Sequence, residues 1–493
     1  MGQTQIAKIE FGGSEDQSAS ELGGAQPTVL NAIMDKMGVA RRRPVLATWS
    51  TWPTTMPVGY GSTGEAIIGM CPFGEQVVFV TNDRKLHALS SVGGIAELSS
   101  STSTTMLDGD KRPVFLAGRN ILLVAGGGAI QKWTGTGLSA RLTNTATADP
   151  VPEATSICGV GQRLVVQLPN KSGLIAWSGP LEDYENWDFT TTGYAGYLQA
   201  SAKPDPLQIT KDNTNEVFAF GSETLQVFAP SELTVDGVES QNTLPFAPAR
   251  TTNLGTVSPY SVEAVDDMFM FLDRLRRAVL TDGRSYQDLS GPVASILRAM
   301  ESVADCWAFR MKFGRFDAVV WVFPTDGYGL VYDSALGSWC EWREWSAGEK
   351  DISIASACNW PEQSVFLVGT TDGSIVKLDD TANTDLGNPV PIELVSGFQT
   401  HGTMAQKHCR TLMLQFKRTW TETATSGWVR VSYRDDQGAW HRLDDIELSA
   451  SASPCVQIRS IGVYRTRQWK VRYTGSDEIQ LVGAQEEFEI LGA

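Results

Sequence analysis

Short apolar runs return along this chain at a near-constant interval, each followed after a few turn residues by a second apolar run. The runs begin at Val77, Leu122, Leu164, Val217, Phe269, Val319 and Val365, at intervals of 45, 42, 53, 52, 50 and 46 residues. Repeats of about 40 to 50 residues are typical of β-propeller blades, which bury their faces only against neighbouring blades. The pattern therefore predicts a β-propeller of six or seven blades.

The turns inside the repeats support this interpretation. Asp372-Gly373 separates the run at Val365 from a second run, and Asp326-Gly327 follows the run at Val319 in the same way. Asp-Gly supplies the positive φ that a tight hairpin needs. The triple glycine 126–128 also lies between apolar runs, and no Gly-Lys-Ser/Thr follows it, so it predicts a hairpin turn and not a phosphate loop. Each repeat is expected to be strand, turn, strand.

Two segments have helical spacing. In the Gly-, Ser- and Gln-rich N-terminal region, apolar residues fit one helical face: Val29, Leu30, Ile33, Met34 and Met37. Between the fifth and sixth repeats, Ser290 as N-cap and Pro292 in the first turn precede a second apolar stripe, which comprises Val293, Ile296, Leu297, Met300 and Val303. The second segment predicts a helix inserted into the repeat array.

The pattern changes after Asp380. Residues 381–389 have the composition of a linker, and predicted strands follow at 412–416, 428–433, 456–458 and 468–473. Such strands at short spacing are typical of a β-sandwich. The sequence thus predicts an all-β chain: an N-terminal arm over 1–55, a β-propeller over 56–380 and a C-terminal β-sandwich over 381–493.

The composition argues against several classes of protein. The formal net charge of −16 argues against an ordinary nucleic-acid-binding protein, which needs a basic face to displace counterions. The seven cysteines are scattered without a CxxC spacing, so neither a disulfide framework nor a zinc site is expected, and synthesis in a reducing cytoplasm is favoured. Neither a signal peptide nor an apolar window of membrane-spanning length is expected.

No motif predicts catalysis, a metal or a cofactor. His87, His401, His408 and His441 lack metal-ligand spacing. Four carboxylate pairs could in principle serve a glycosidase, but each has a turn-like context: Glu182-Asp183, Asp379-Asp380, Asp435-Asp436 and Asp444-Asp445. Residues 433–440 resemble the Asp-box turn of sialidase-like propellers, but once only and one residue short before the tryptophan. We expect that the chain is not an enzyme.

Aromatic and basic residues form the remaining candidates. Tryptophans 339, 342 and 345, with Trp321 and Trp360, either pack between blades or form an exposed docking or sugar-stacking surface; packing is favoured. Arg41, Arg42 and Arg43 end the predicted arm, as a solvated triplet or a docking site. Strand alternation places Arg465, Arg467, Trp469 and Tyr473 on one face, either as an interface to an acidic partner or as ordinary surface charge.

Several of these segments together resemble the packaged-DNA stabilization proteins of short-tailed bacteriophages, also described as tail hub or nozzle proteins. The resemblance rests on the junction from Arg41 to Pro44, on Leu330-Val331-Tyr332-Asp333 with Gly337-Ser338-Trp339, and on Arg465-x-Arg467-x-Trp469-x-Val471 with Leu481-x-Gly483-Ala484. The chain departs from the expected pattern in having Val45, not glycine, after Pro44.

The resemblance implies a structural virion protein without catalytic residues. It implies a homohexamer ring in the phage tail, below the portal-adaptor complex, that continues the DNA channel, retains the genome and passes it at ejection. The implied partners are further copies, the head-to-tail connector, tail spike, fibre or needle proteins, and double-stranded DNA without sequence-specific binding. Two alternatives stay open at this point: a carbohydrate-binding tail adhesin and a propeller glycosidase.

Overall fold

A computed structural model describes residues 4–11, 28–34, 39–48, 65–99, 111–160, 162–169, 173–180, 183–190, 195–200, 205–213, 215–234, 243–313, 316–344, 352–418, 427–448 and 455–491. The chain divides into two compact units. Unit 1 comprises Met1–Thr48, Met311–Ile352 and Leu378–Ala493, and unit 2 comprises Trp49–Arg310 and Ser353–Lys377. The domain limits given above, at 55/56 and 380/381, stay a prediction.

The N-terminal region contributes short strands where a helix was predicted. These are β1 (Thr4–Lys8), β2 (Thr28–Leu30), β3 (Ala32–Met34), β4 (Ala40–Arg42) and β5 (Val45–Ala47). The helical prediction for the stripe from Val29 to Met34 is therefore wrong, and Met37 lies outside the described residues. Asn31, at φ 55°, separates β2 from β3. Neighbouring strands of unit 1 supply the pairing that overrides the helical spacing, which a short window cannot distinguish from a buried strand.

The first five repeats each form a separate four-stranded antiparallel sheet in chain order. The first two sheets contain β6 (Ile67–Phe73), β7 (Gln76–Thr81), β8 (Leu86–Ser90) and β9 (Ile95–Glu97), then β10 (Val114–Ala117), β11 (Leu122–Ala125), β12 (Gln131–Trp133) and β13 (Ala140–Arg141). The next two contain β14 (Ser156–Val160), β15 (Arg163–Gln167), β16 (Leu174–Trp177) and β17 (Gly196–Gln199), then β18 (Leu207–Asn213), β19 (Glu216–Gly221), β20 (Leu225–Thr234) and β21 (Thr243–Thr252). The fifth contains β22 (Glu263–Val265), β23 (Met268–Leu272), β24 (Ala278–Thr281) and β25 (Tyr286–Asp288).

The predicted helical insertion is present but shorter than its apolar stripe. A 3-10 turn (Gly291–Val293) leads into helix α1 (Ala294–Ala299), which ends because Met300 is extended at ψ 139°. Ser290 does not cap it; its hydroxyl instead accepts a hydrogen bond from the backbone N–H of Ala278 at 2.8 Å. Two other 3-10 turns lie at Pro259–Ser261 and Pro361–Gln363.

The last two repeats differ in how their sheets end. Their strands are β26 (Trp307–Phe313), β27 (Phe316–Phe323), β28 (Tyr328–Asp333), β29 (Ser338–Trp342), β30 (Ile354–Trp360), β31 (Val365–Thr370) and β32 (Ile375–Asp379). The last repeat is a four-stranded sheet in the order β30-β31-β32-β5. Strands β26 to β29 instead begin a ten-stranded sheet. Among the described residues, six repeats are therefore separate blade-like sheets of a propeller.

All seven apolar runs that defined the period fall in the second strand of their repeat, from β7 to β31. Apolar clusters join successive blades of unit 2: Val80 packs with Trp133 between the first two sheets, and the Phe218 and Phe269 rings lie 4.8 Å apart between the fourth and fifth. Phe79 and Trp360 share a cluster that joins the first sheet to the last. Each fully buried large side chain contributes about 1.5–3 kcal/mol, so the ring of sheets depends on these shared faces.

The residues after Asp379 form the remaining strands. These are β33 (Thr384–Asp385), β34 (Asn388–Pro389), β35 (Ile392–Val395), β36 (Lys407–Arg418), β37 (Gly427–Asp435), β38 (His441–Arg442), β39 (Ile446–Leu448), β40 (Cys455–Arg459), β41 (Val463–Tyr464), β42 (Arg467–Thr474) and β43 (Ile479–Ile490). The four strands predicted here are confirmed within β36, β37, β40 and β42. The linker predicted at 381–389 is wrong, because β33 and β34 pair as a hairpin with Asp385 fully buried.

Two sheets of unit 1 hold most of these strands. One has the order β3-β4-β43-β36-β40, with β1 on β43 and β41 on β36. The other continues from β29 through β2-β35-β42-β37-β38, with β39 on β37. The indole of Trp469 in β42 bonds to Glu486 in β43, which links the two sheets as a sandwich requires. No helix in the described part of the chain is long and apolar enough to span a membrane.

His87 generates a prediction about pH. Its side chain is buried in β8, where the ring stacks on Phe79 at 5.1 Å. Burial lowers the pKa of His87 to about 4, against the opposing effect of Asp83. Because an unfolded histidine titrates near 6.5, the unfolded state binds the extra proton between pH 6.5 and 4, and stability is lost as pH falls through that range by up to about 3 kcal/mol.

The measurement is the free energy of unfolding by urea at pH 7 and pH 4.5. We expect His87→Gln to lose less stability than the wild type over this interval, since glutamine does not titrate. His441→Gln, at an exposed position, is the matched control and should keep the wild-type pH dependence. Equal losses in the His87 variant and the wild type would contradict the assignment.

Candidate functional site

The predicted basic triplet is folded into unit 1. Arg43 is 2% exposed, and all five of its guanidinium N–H groups have acceptors. They bond Asp385 at 2.5 and 3.2 Å, Asn31 Oδ1 at 3.0 Å, and the carbonyls of Pro44 and Arg343 at 2.7 and 2.8 Å. The guanidinium also lies 4.7 Å from the Trp342 ring centre. We call Arg43, Asp385, Asn31 and Trp342 the Arg43 anchor.

The anchor joins three separate segments of unit 1. Asn31 bonds the backbone of β29 through its N–H to Glu341 O at 2.8 Å, and its side-chain oxygen accepts from Arg343 N at 2.9 Å. Asp385 also accepts from the N–H of Leu46 at 2.9 Å. A buried ion pair is costly unless its remaining hydrogen-bonding groups are satisfied, and every N–H of Arg43 and both carboxylate oxygens of Asp385 have partners.

Arg42 is buried as well. Its guanidinium donates to the carbonyls of Asn383 and Gly475 at 2.8 and 2.9 Å, and burial lowers its pKa to about 10. Arg41 is half-buried in β4, opposite Gln480 of β43. The triplet therefore holds the N-terminal strands in place; a partner contact by any of the three stays a prediction.

The second basic segment is mostly internal too. Arg467 is fully buried and donates to both Asp435 oxygens at 2.6 and 2.8 Å. Although burial opposes it, the Asp435 carboxylate raises the pKa of Arg467. Trp469, also fully buried, donates from its indole N–H to Glu486 at 3.0 Å. These four residues form the Arg467 cluster.

The predicted strand alternation is observed in β42, where Arg467, Trp469 and Tyr473 point into the protein. Arg465 lies just before this strand and its side chain is exposed. Its backbone carbonyl accepts from the buried Lys407 ammonium at 2.7 Å. Arg465 is therefore the exposed member of the six predicted interface residues, and its role as a partner contact stays a prediction.

The tryptophan prediction is confirmed for the residues that the structure describes. Trp321, Trp339, Trp342 and Trp360 are buried, and the rings of Trp321 and Trp339 lie 5.6 Å apart. Trp345 lies outside the described residues. These tryptophans pack inside the fold and offer no stacking surface for a sugar.

Described members of the predicted carboxylate pairs form hydrogen bonds or ion pairs within the protein. Asp435 belongs to the Arg467 cluster, and Asp436 accepts from the backbone N–H of Thr466 at 2.8 Å. Asp445 lies between Arg430 and Arg442, whose hydrogen bonds lower its pKa to about 2. Glu182 lies outside the described residues. Within the described chain, no group of three His, Cys, Asp or Glu side chains is placed to hold a metal ion.

The first strands of the repeats surround a cavity of about 380 Å³ in unit 2. Its polar lining includes Arg112, Lys211, Tyr260 and Glu263. The Arg112 guanidinium donates to the Ala355 carbonyl and lies 4.4 Å from the Trp307 ring centre. Burial lowers the pKa of Arg112 to about 10 and raises the pKa of Glu263. In this described lining, one carboxylate lies among cations, unlike the carboxylate pair of a glycosidase.

A family model described as "Bacteriophage P22 Gp10, beta-propeller" matches residues 71–383. This match spans more than half of the chain. The protein belongs to this phage stabilisation family. Membership makes it a phage structural protein associated with stabilising packaged DNA, and it indicates a virion location and a structural role. The resemblance first seen in short segments is thereby confirmed at the level of the family.

Solved structures show likeness at low TM-scores. The chain is similar to the computationally designed Ika8 protein at 15% identity and TM-score 0.37, over 72% of this chain and 97% of that one. It is similar to Hsv2 of Kluyvelomyces marxianus at 13% identity and TM-score 0.31, over 54% of this chain and 79% of that one. It is also similar to the Pan2 WD40 domain of Neurospora crassa at 10% identity and TM-score 0.37, over 70% of this chain and 96% of that one. No curated protein matches the chain.

Sequence reasoning missed the acidic halves of both buried clusters. Asp385 stands in a segment with the composition of a linker, and Glu486 stands in the run Gln485-Glu486-Glu487, which looks solvated. Strand alternation could have identified Glu486 as buried, because Ala484, Glu486 and Phe488 all point inward along β43. Asp385 has no comparable local signal, because its partner Arg43 lies 342 residues away.

The Arg43 anchor generates a stability prediction. Asp385→Ala leaves the Arg43 charge buried without its carboxylate, which is expected to cost about 3–5 kcal/mol in the free energy of unfolding. The measurement is the free energy of unfolding by urea, followed by tryptophan fluorescence, to which the buried Trp342 of the anchor contributes. Lys85→Ala is the control, since Lys85 is half-exposed with acceptors at 3.5 and 3.8 Å and should cost less than about 1 kcal/mol. Similar small losses in both variants would show that the anchor is not a determinant of stability.

Proposed function

We propose that this chain is a tail hub, or nozzle, protein of a short-tailed phage. Copies assemble as a homohexamer ring below the portal-adaptor complex. The ring continues the DNA channel, retains the packaged genome and passes it at ejection. Its role is structural, with no reaction catalysed and no cofactor bound.

The family match over residues 71–383 carries the proposal. In the proposed ring, the DNA channel lies between the copies. Cyclic symmetry produces such a central opening when identical subunits close into a ring.

The charge supports the same role. At −16, the chain would present a repulsive wall to a polyanion, so DNA could slide past without sticking to specific positions. Double-stranded DNA is thus a partner without sequence-specific binding. The other partners are the head-to-tail connector and tail spike, fibre or needle proteins, and synthesis takes place in the host bacterial cytoplasm before assembly into the virion tail.

Assembly tests the proposal. Purified full-length chain, alone and mixed with a portal-adaptor complex, is imaged by negative-stain electron microscopy and weighed by light scattering. We expect rings with a central opening wide enough for a duplex, formed by the chain itself or on the connector. A monomer under both conditions would refute the proposal, and binding to a glycan array without ring formation would favour the adhesin alternative.

A further inference from the structure

One face of the ten-stranded sheet in unit 1 is basic in a strongly acidic protein. Strand register places Arg430 opposite Arg472, and Arg434 opposite Gln468, between β37 and β42. Residues directly opposite in an antiparallel pair share a face, as do alternate residues of one strand. The resulting basic sheet face consists of Trp428, Arg430, Arg434, Trp440, Arg442, Lys470 and Arg472.

Among the described residues of this face and their described ion pairs, cations outnumber carboxylates. Asp445 is shared by Arg430 at 2.9 Å and Arg442 at 2.6 Å. Glu393 is shared by Lys470 at 3.3 Å and Arg472 at 3.7 Å. Each carboxylate thus neutralises one of two cations, and like charges directly opposite across a sheet are unfavourable. The face retains net positive charge that a further anionic group would neutralise.

The exposed tryptophans are also here. Among the described tryptophans, those that are exposed are Trp428 at 47% and Trp440 at 36%, and both lie on the basic sheet face. Tryptophan and arginine are the residues most enriched at the energetic centres of protein interfaces. Their coincidence on one face marks it as a docking surface.

The cations around Trp440 are already ordered. The Arg434 guanidinium lies 5.0 Å from both the Phe398 and the Trp440 ring centres, and the Lys470 ammonium lies 4.5 Å from Trp440. Such a preorganised group loses little side-chain entropy when a partner binds.

The surroundings favour a protein partner over nucleic acid. Glu393 and Asp445 are interspersed among the cations, and the exposed Glu447 lies opposite Trp428. Carboxylates at this density repel a continuous phosphate backbone, whereas mixed charges with a net positive sign fit a folded acidic surface. The chain itself has an excess of carboxylates from which such a surface can form, since its formal net charge is −16 despite this face.

We infer that the basic sheet face docks on an acidic surface of a second copy of this chain. Two basic faces repel one another, so the contact joins unlike surfaces. Heterologous contacts of this kind close into rings when the rotation permits. The inference rests on the proposed function and deepens it by naming the surface that assembles the ring.

The test compares self-association of full-length chains by sedimentation velocity at 50 and 500 mM NaCl. The face variant is Arg442→Glu with Arg472→Glu, and a second variant, Trp428→Ala, changes no charge. The control is Arg284→Glu with Arg298→Glu, two exposed positions of unit 2 with the same change in charge. Circular dichroism verifies folding of each variant.

We expect the wild type to associate more weakly at high salt, and each face variant to associate at least about tenfold more weakly than the wild type and the control. Wild-type association that persists in both face variants would overturn the inference and leave the ring proposal intact. Absence of association in the wild type, with or without connector, would instead refute the ring proposal and the inference together. Binding of a 30-base-pair duplex, lost in the face variants while self-association is kept, would reassign the face to DNA.

Discussion

A four-stranded blade has two apolar faces and cannot bury either by itself. In this protein the second strand of each repeat is apolar at nearly every position, as in β7, where Val77 to Val80 are all buried. Such a strand is stable only when another sheet covers each side, and the clusters shared between successive sheets meet this requirement. The constraint explains why the repeats must form a closed series, and why the residues that define the period are core residues with no direct role in binding.

Unit 1 is held by a different kind of interaction. Its N-terminal strands are short, and beside their buried apolar residues they are held by Arg43 and Asp385. These two residues form a fully buried charge pair in which all five N–H donors of Arg43 have acceptors. In the Arg467 cluster, the buried Arg467 donates to Asp435, and the Trp469 indole donates to Glu486. Because a buried charge without its partner is costly, each pair specifies which distant segments meet.

The burial of Arg43 and Arg467 changes which basic residues are available at the surface to contact a partner. Arg43 and Arg467, which belong to the basic segments predicted as interfaces, lie inside the fold. Lys470 and Arg472 of β42, with Arg430 and Arg442 of the adjoining strands, instead reach the surface from the opposite side of the sheet. Because side chains alternate between the two faces of a β-strand, the basic stretch 465–472 has some of its side chains inside the protein and others at the surface. A basic face of this kind is suited to bind an acidic surface.

The period, the class and the family could be predicted from the sequence, because they depend on local patterns: an apolar run every 40 to 50 residues, and turn residues between paired runs. The strands of the C-terminal region were predicted for the same reason. The helical spacing of Val29 to Met34 misled because short apolar windows fit a strand or a helix, and the neighbours that decide between them are distant in sequence. Only the tertiary structure decided that Asp385 is a buried counterion, because its partner Arg43 lies 342 residues away. The tertiary structure also decided that Trp428 and Trp440 share an exposed face, because the exposure of a side chain depends on which face of the sheet the rest of the fold covers.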